Sequence, residues 1–189
     1  QPGQVLLFSG HMVDAPTRPR PRFPPAMVAR ATAEIERVLD GLKAGPGDIA
    51  LTQGAAGGDL IFAEACIKRG VRMQFLLPLP EPDFIDASVL PSSDGVAWRE
   101  RYYALKAQLV EPARVMPVEL GPLPADANAF ERCNLWLLYS ALSYGPDKVR
   151  FVCLWDGAGG DGPGGTKHMV EEVKRRTGQV SWIDTRTLA

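Results

Sequence analysis

The sequence predicts an α/β fold: one Rossmann-like three-layer domain with a mostly parallel sheet and helices on both faces. Three observations carry this. Short apolar runs recur along the 189 residues at intervals too long for hairpins. Stretches with apolar positions every three to four residues separate them, which is helical spacing. Two of the strand-to-helix junctions are glycine-rich turns, Gly54-Ala55-Ala56-Gly57-Gly58-Asp59 and Gly162-Pro163-Gly164-Gly165-Thr166.

The elements follow in order. Gln4 to Phe8 reads as a buried strand that breaks at Ser9-Gly10. Prolines at 16, 19, 21, 24 and 25 exclude regular helix or central strand from residues 14 to 25. A helix is expected from about Ala26 to Lys43, with Met27, Ala31, Ile35, Val38, Leu39 and Leu42 on its apolar face, and Gly45-Pro46-Gly47 ends it. A strand from Asp48 to Thr52, the first glycine turn and a helix from Asp59 to Arg69, closed by Gly70, come next. Val71 to Leu77 is a third strand, with a rigid exit through Pro78, Pro80 and Pro82. Helical patterns near Asp83 to Val89 and Gly95 to Leu109 precede an expected strand at Arg114 to Glu119. A helix over about Ala125 to Ser143, a strand at Lys148 to Trp155, the second glycine turn, a helix at Thr166 to Thr177 and a strand at Val180 to Asp184 complete the chain.

Composition narrows the functional classes. A chain of this length with 46% hydrophobic and 23% charged residues suits one globular domain spanning residues 1–189. The formal net charge of −1 supplies no basic excess for nucleic acid or anionic membrane. No apolar run approaches the roughly 18 residues of a membrane helix. Cys66, Cys133 and Cys153 lie far apart without metal-ligand spacing, which argues against a disulfide scaffold or a metal site and fits a reducing, cytoplasmic setting. A start at Gln1 rather than Met suggests a domain taken from a longer protein or a trimmed chain.

A strand, a glycine turn and a helix together bring backbone N–H groups and a helix N-terminus up to an anion, usually phosphate. Glycine permits that approach because it has no Cβ. In a parallel sheet, Ser9-Gly10-His11, the first glycine turn, Pro78 to Pro82 and Asp156 to Thr166 would all gather on the C-terminal rim. Ser9, Gly10, Gly54, Gly57, Gly58, Gly164, Gly165 and Thr166 are therefore the candidate ligand contacts, with Asp59 and Arg132 orienting the remainder. Asp59 either caps its helix or holds a ribose hydroxyl. Thr166 either caps or binds phosphate. His11 is a donor or acid/base with Asp14 as partner, unless both merely close a turn. His168 would border the same ligand. Asp156 and Asp161 are turn residues or reach a sugar or cation. The helix carrying Asn128, Glu131, Arg132 and Asn134 offers a guanidinium for phosphate or for a surface ion pair. Arg18, Arg20 and Arg22 form a lid over an anion, a partner interface or a solvated loop, while Trp98, Tyr102 and Trp136 fit core positions.

The first turn lacks a full G-x-G-x-x-G with its distant acidic residue, which disfavours a dinucleotide dehydrogenase. G-x-x-x-x-G-K-[ST] and G-x-S-x-G are absent, so neither a P-loop NTPase nor the commonest α/β hydrolase is expected. The opening Val5-Leu6-Leu7-Phe8-Ser9-Gly10, the segment Gln53 to Leu60 with Ala63-Glu64, and Pro163-Gly164-Gly165-Thr166 resemble the SLOG superfamily. That group includes DprA-like proteins and LOG-type phosphoribohydrolases. The resemblance implies a nucleotide-derived ligand of ADP-ribose or NAD type, no further cofactor, and a sensor in bacterial signalling that self-associates or is fused to an effector domain. LOG enzymes carry P-G-G-x-G-T-x-x-E, with a catalytic glutamate and an arginine from a preceding helix. Here Met169 stands three residues past Thr166, and Glu171 and Glu172 come later. Phosphate binding carries over through Gly164, Gly165 and Thr166, whereas hydrolysis of an N-glycosidic bond does not. Ligand binding is thus the first expectation. The alternatives are a glycosidic hydrolase using His11, His168 or Glu171, and an interaction domain whose glycine turns are only structural.

Overall fold

The computed structural model describes residues 1–177 and 179–189. Its six strands are β1 (Val5–Gly10), β2 (Ile49–Thr52), β3 (Arg72–Leu77), β4 (Arg114–Val115), β5 (Val149–Trp155) and β6 (Val180–Asp184). The seven helices are α1 (Val28–Gly41), α2 (Gly58–Lys68), α3 (Glu81–Ser88), α4 (Gly95–Lys106), α5 (Met116–Leu120), α6 (Ala129–Leu142) and α7 (Thr166–Lys174). All neighbouring strands pair in parallel, in the order β4-β3-β2-β1-β5-β6.

The central strand shows why both faces are covered. Val5 and Leu7 point into one apolar layer and Leu6 and Phe8 into the other, and all four are fully buried. The period-two alternation of a strand therefore reads as a continuous apolar run. One layer holds α1, α2 and α4. Ala31, Ile35 and Leu39 line up at four-residue spacing on α1, and α2 is buried nearly all round between the sheet and its neighbours. Phe62 of α2 stacks on Phe8 with ring centroids 4.6 Å apart. The other layer holds α6 and α7, through Cys133, Leu137, Leu138 and Ala141 on α6 and Met169, Val170 and Val173 on α7. The three cysteines are free and buried. Among the described residues, no helix is long and apolar enough to cross a membrane.

One element departs from the sequence expectation. The strand expected over Arg114 to Glu119 stops after Val115, and Met116–Leu120 is the helix α5. Pro117 sits in the first turn of that helix, where its missing N–H costs nothing, whereas in a longer strand it would forfeit a ladder bond. The expected helix over 125–143 begins at Ala129, because the Asn128 side chain accepts the Phe130 and Glu131 amides and sets the start.

The topology places the site. From β1 the chain steps outward through β2, β3 and β4, and α6 then returns it to β5 on the other flank of β1. The carboxyl ends of β1 and β5, at Gly10 and Trp155, are where the strand order reverses. A ligand crevice is expected at that divide.

Candidate ligand-binding cleft

A cleft of about 310 Å³ opens at this switch point. Its floor is Ser9, Gly10 and His11 from the end of β1, and Gln53, Ala55 and Asp59 from the first glycine turn. Gly160 to Lys167 form one wall, Phe130, Asn134 and Leu137 of α6 another, and Arg22 and Trp155 complete the rim. The two glycine turns thus border one space, as the parallel topology requires. Their roles differ.

The first turn has spent the amides of Gly54, Ala55, Ala56 and Gly58. Asp59, only 6% exposed, accepts the N–H groups of Gly54 (3.2 Å) and Ala55 (3.0 Å) through Oδ2. The Ala56 amide donates to the Ser88 carbonyl and the Gly58 amide to the His11 carbonyl. Gly57 has φ +97°, and a Cβ there would stand 2.6 Å from the Val13 nitrogen. This glycine lets two backbone segments touch, where the short bridge between Met12 and Gly57 forms. Gly54, Gly57 and Gly58, expected as phosphate contacts, therefore belong to the scaffold beneath the cleft, and Asp59 organises the turn rather than capping α2 from outside. Burial pushes the Asp59 carboxyl up to about 6 in spite of the amides it accepts.

The second turn keeps its donors. Gly165 is the N-cap of α7 and, among the described residues, no side chain caps this helix. The first-turn amides of α7 have no partners within the helix and stand at the positive end of its dipole. Thr166, 8% exposed, opens the helix, and its Oγ1 lies 3.5 Å from Ser9 Oγ. That separation is too long for a strong hydroxyl–hydroxyl hydrogen bond, so both groups remain available to a ligand. Asn134 fixes the turn from behind: its Nδ2 donates to the Gly164 carbonyl at 2.9 Å, close to the Gly165 carbonyl (3.3 Å) and to His168 Nδ1 (3.1 Å). Gly164, at φ +82°, packs so tightly on α6 that a Cβ would come within 2.5 Å of the Glu131 nitrogen.

The histidine is neutral and bound. His11 Nε2 accepts the Asp156 amide at 3.1 Å, which leaves the ring proton on Nδ1. Burial lowers the imidazole to about 4, helped by the Arg22 cation and opposed by Asp156. The Asp156 carboxylate, 3.2 Å from the same Nε2, becomes an ion-pair partner only if the ring is protonated. Asp14 is not a partner of His11. Its Oδ2 accepts the amides of Arg22 and Phe23 at 2.8 and 2.9 Å, pinning the proline-rich segment against the body of the domain.

Two expected residues lie elsewhere. Glu171 is exposed on α7 and pairs with Lys167 at 2.6 Å, which holds its carboxyl below the usual range. Its side chain belongs to the solvent face of the helix and does not line the cleft. Arg132 turns away as well, donating to the carbonyls of Leu120 (2.6 Å), Gly121 (3.3 Å) and Pro122 (3.2 Å) and so tying α6 to the end of α5. The cations lining the cleft are Arg22 and Lys167, the latter paired with Glu171. Sequence spacing marks Arg22 only as one of three alternating arginines. The long-range pin from Asp14 that directs it is not a local pattern.

The fold and cleft define the class: a Rossmann-like α/β domain with an anion-attracting helix N-terminus at its switch point. No family model matches the chain, and no curated protein matches it.

Proposed function

We propose that the chain is a binding domain for a nucleotide-derived ligand, of the SLOG type that its glycine motifs resemble, with a phosphoryl group seated on the N-terminus of α7. The observation that carries the reading is the uncapped first turn of α7, with Thr166 and Ser9 free to bond, opening into a cleft at the β1/β5 divide. Phe130, Leu137 and Trp155 give the same cleft an apolar side suited to a base. The volume is at the low end for a small-molecule site, which fits one nucleotide unit better than an extended dinucleotide.

Binding is favoured over hydrolysis of a glycosidic bond. Departure of a base leaves a cationic sugar, which calls for a carboxylate at the anomeric carbon. Glu171 faces solvent, His11 Nε2 is engaged by the Asp156 amide, and the two carboxylates that line the cleft are taken, Asp59 by the first-turn amides and Asp161 by Arg18.

A thermal-shift series with AMP, ADP-ribose and NAD, followed by chromatography of each sample, tests this. A ligand at 100 times its dissociation constant adds about 2.7 kcal/mol, a shift of several degrees for a domain of this size. We expect a shift with the ligand recovered intact, and about tenfold weaker binding in Thr166→Val. Release of free base would move the assignment to the hydrolase. No shift with any of the three would remove the nucleotide reading.

A further inference from the structure

Of the three arginines on the proline-rich segment at the rim of the cleft, Arg18 and Arg22 already hold an anion. Arg18 grips the Asp161 carboxylate with Nη1 at 2.5 Å and Nη2 at 3.1 Å, and Arg22 Nη1 lies 3.7 Å from the same group. Asp161 stands in the loop before α7, and both it and Arg22 line the cleft. We propose that Asp161 is a resident counter-ion occupying a second phosphoryl subsite, and that the ligand's distal phosphoryl displaces it and takes over Arg22 and Arg18. This rests on the nucleotide reading above and narrows it to ligands with a diphosphate, one phosphoryl on α7 and the next on the arginines.

Three observations support the exchange. The first is that Arg22 is held in place but under-used. Its backbone amide is pinned to Asp14, its side chain is 16% exposed, and its Nε is buried without a hydrogen-bond partner. A guanidinium in that condition gains a bond when a planar or tetrahedral oxyanion replaces a single carboxylate oxygen at long range.

Next, Asp161 is easy to release. Its side chain is 67% exposed, so moving it into solvent uncovers little. A Cβ at Gly159 or Gly162 would meet nothing within 4 Å, so the flanking backbone has room to move.

Last, of the three carboxylates that face Arg18 and Arg22, Asp14 and Asp156 accept backbone amides, whereas Asp161 is held by the arginines alone among the described residues. Asp14 Oδ1 lies 3.6 Å from Arg18 Nε, and Asp156 also faces the pair from the end of β5. Withdrawing Asp161 leaves two carboxylates around the two guanidinium groups instead of three, which lowers the repulsion that an incoming phosphoryl meets. Asp161 thereby sets a threshold: a monophosphate on α7 leaves the loop pinned, whereas a diphosphate competes for the pin.

Isothermal titration with AMP and ADP as probes tests the assignment in the wild-type chain, Arg22→Gln and Asp161→Asn, with melting temperatures to confirm that each variant folds. We expect ADP to bind the wild-type chain at least tenfold more tightly than AMP. Arg22→Gln should erase the difference between ADP and AMP, and Asp161→Asn should tighten ADP several-fold. Equal affinities for AMP and ADP, or an ADP affinity indifferent to both substitutions, would overturn the second subsite while leaving nucleotide binding intact. Failure of both probes to bind the wild-type and Asp161→Asn chains would overturn the nucleotide reading itself.

Discussion

Asp59 works under two opposed pressures. Its carboxylate satisfies two amides of the first glycine turn, yet burial raises its affinity for a proton to about 6. The amides are the stronger constraint, because a buried N–H without a partner costs about 1–3 kcal/mol. Asp59→Ala should therefore destabilise the domain by about 2 kcal/mol, the relief of the buried charge offsetting part of the loss. Asp59→Asn keeps an acceptor for the same amides and should stay within about 1 kcal/mol of the parent. Urea denaturation of both variants measures this; equal stability for Ala and Asn would remove Asp59 from its bracing role. At this scale the sequence was ambiguous, because an Asp after a glycine turn caps, braces or binds. Only the return of its side chain to Gly54 and Ala55 separates these roles.

At the scale of elements, the strand-glycine-helix units were legible because local chemistry specifies them. Apolar runs that match the strand period and glycines at tight junctions carry that signal. The β4–α5 segment was not, since the apolar run Val115-Met116-Pro117-Val118 suits either element by pattern, and Pro117, at home in the first turn of a helix and costly in a longer strand, decides. The two glycine turns look alike in sequence, and their difference is tertiary: His11, Ser88 and Asp59 consume the amides of the first, while α6 supports the second from behind. Gly164 is the contact on which that support depends. Gly164→Ala must adopt φ +82° and drive a methyl group into the Glu131 backbone, for a cost of about 2–3 kcal/mol. Because the displaced turn carries the start of α7, affinity for the proposed nucleotide ligand should fall with stability. Gly162→Ala, where a Cβ meets nothing within 4 Å, is the matched control and should change stability by less than about 1 kcal/mol. Thermal melts of the pair check the contrast, and similar losses in both would contradict it.

For the whole molecule, the parallel sheet brings together at the cleft two buried titratable groups of opposite sign. The sequence made that convergence legible for His11 and Asp59, but not for Glu171 and Arg132, whose directions depend on which faces of α7 and α6 pack inward. The pair gives the fold a pH signature. His11 falls from 6.5 to about 4 on folding, so its contribution is fully present above pH 6.5 and is lost as pH falls toward 4. Asp59 rises from 3.8 to about 6, so the folded state takes up its proton first and gains stability as pH falls over nearly the same window. Each shift is worth about 3 kcal/mol in full, at 1.36 kcal/mol per pH unit, and the two slopes oppose each other. The wild-type urea midpoint should therefore change little between pH 6.5 and 4.5. Asp59→Asn removes the compensating group, and its stability should drop by about 2 kcal/mol over that interval. His11→Gln, which retains an acceptor for the Asp156 amide, should instead become more stable on acidification. Parallel pH profiles for all three chains would show that neither group titrates within the fold as its burial dictates.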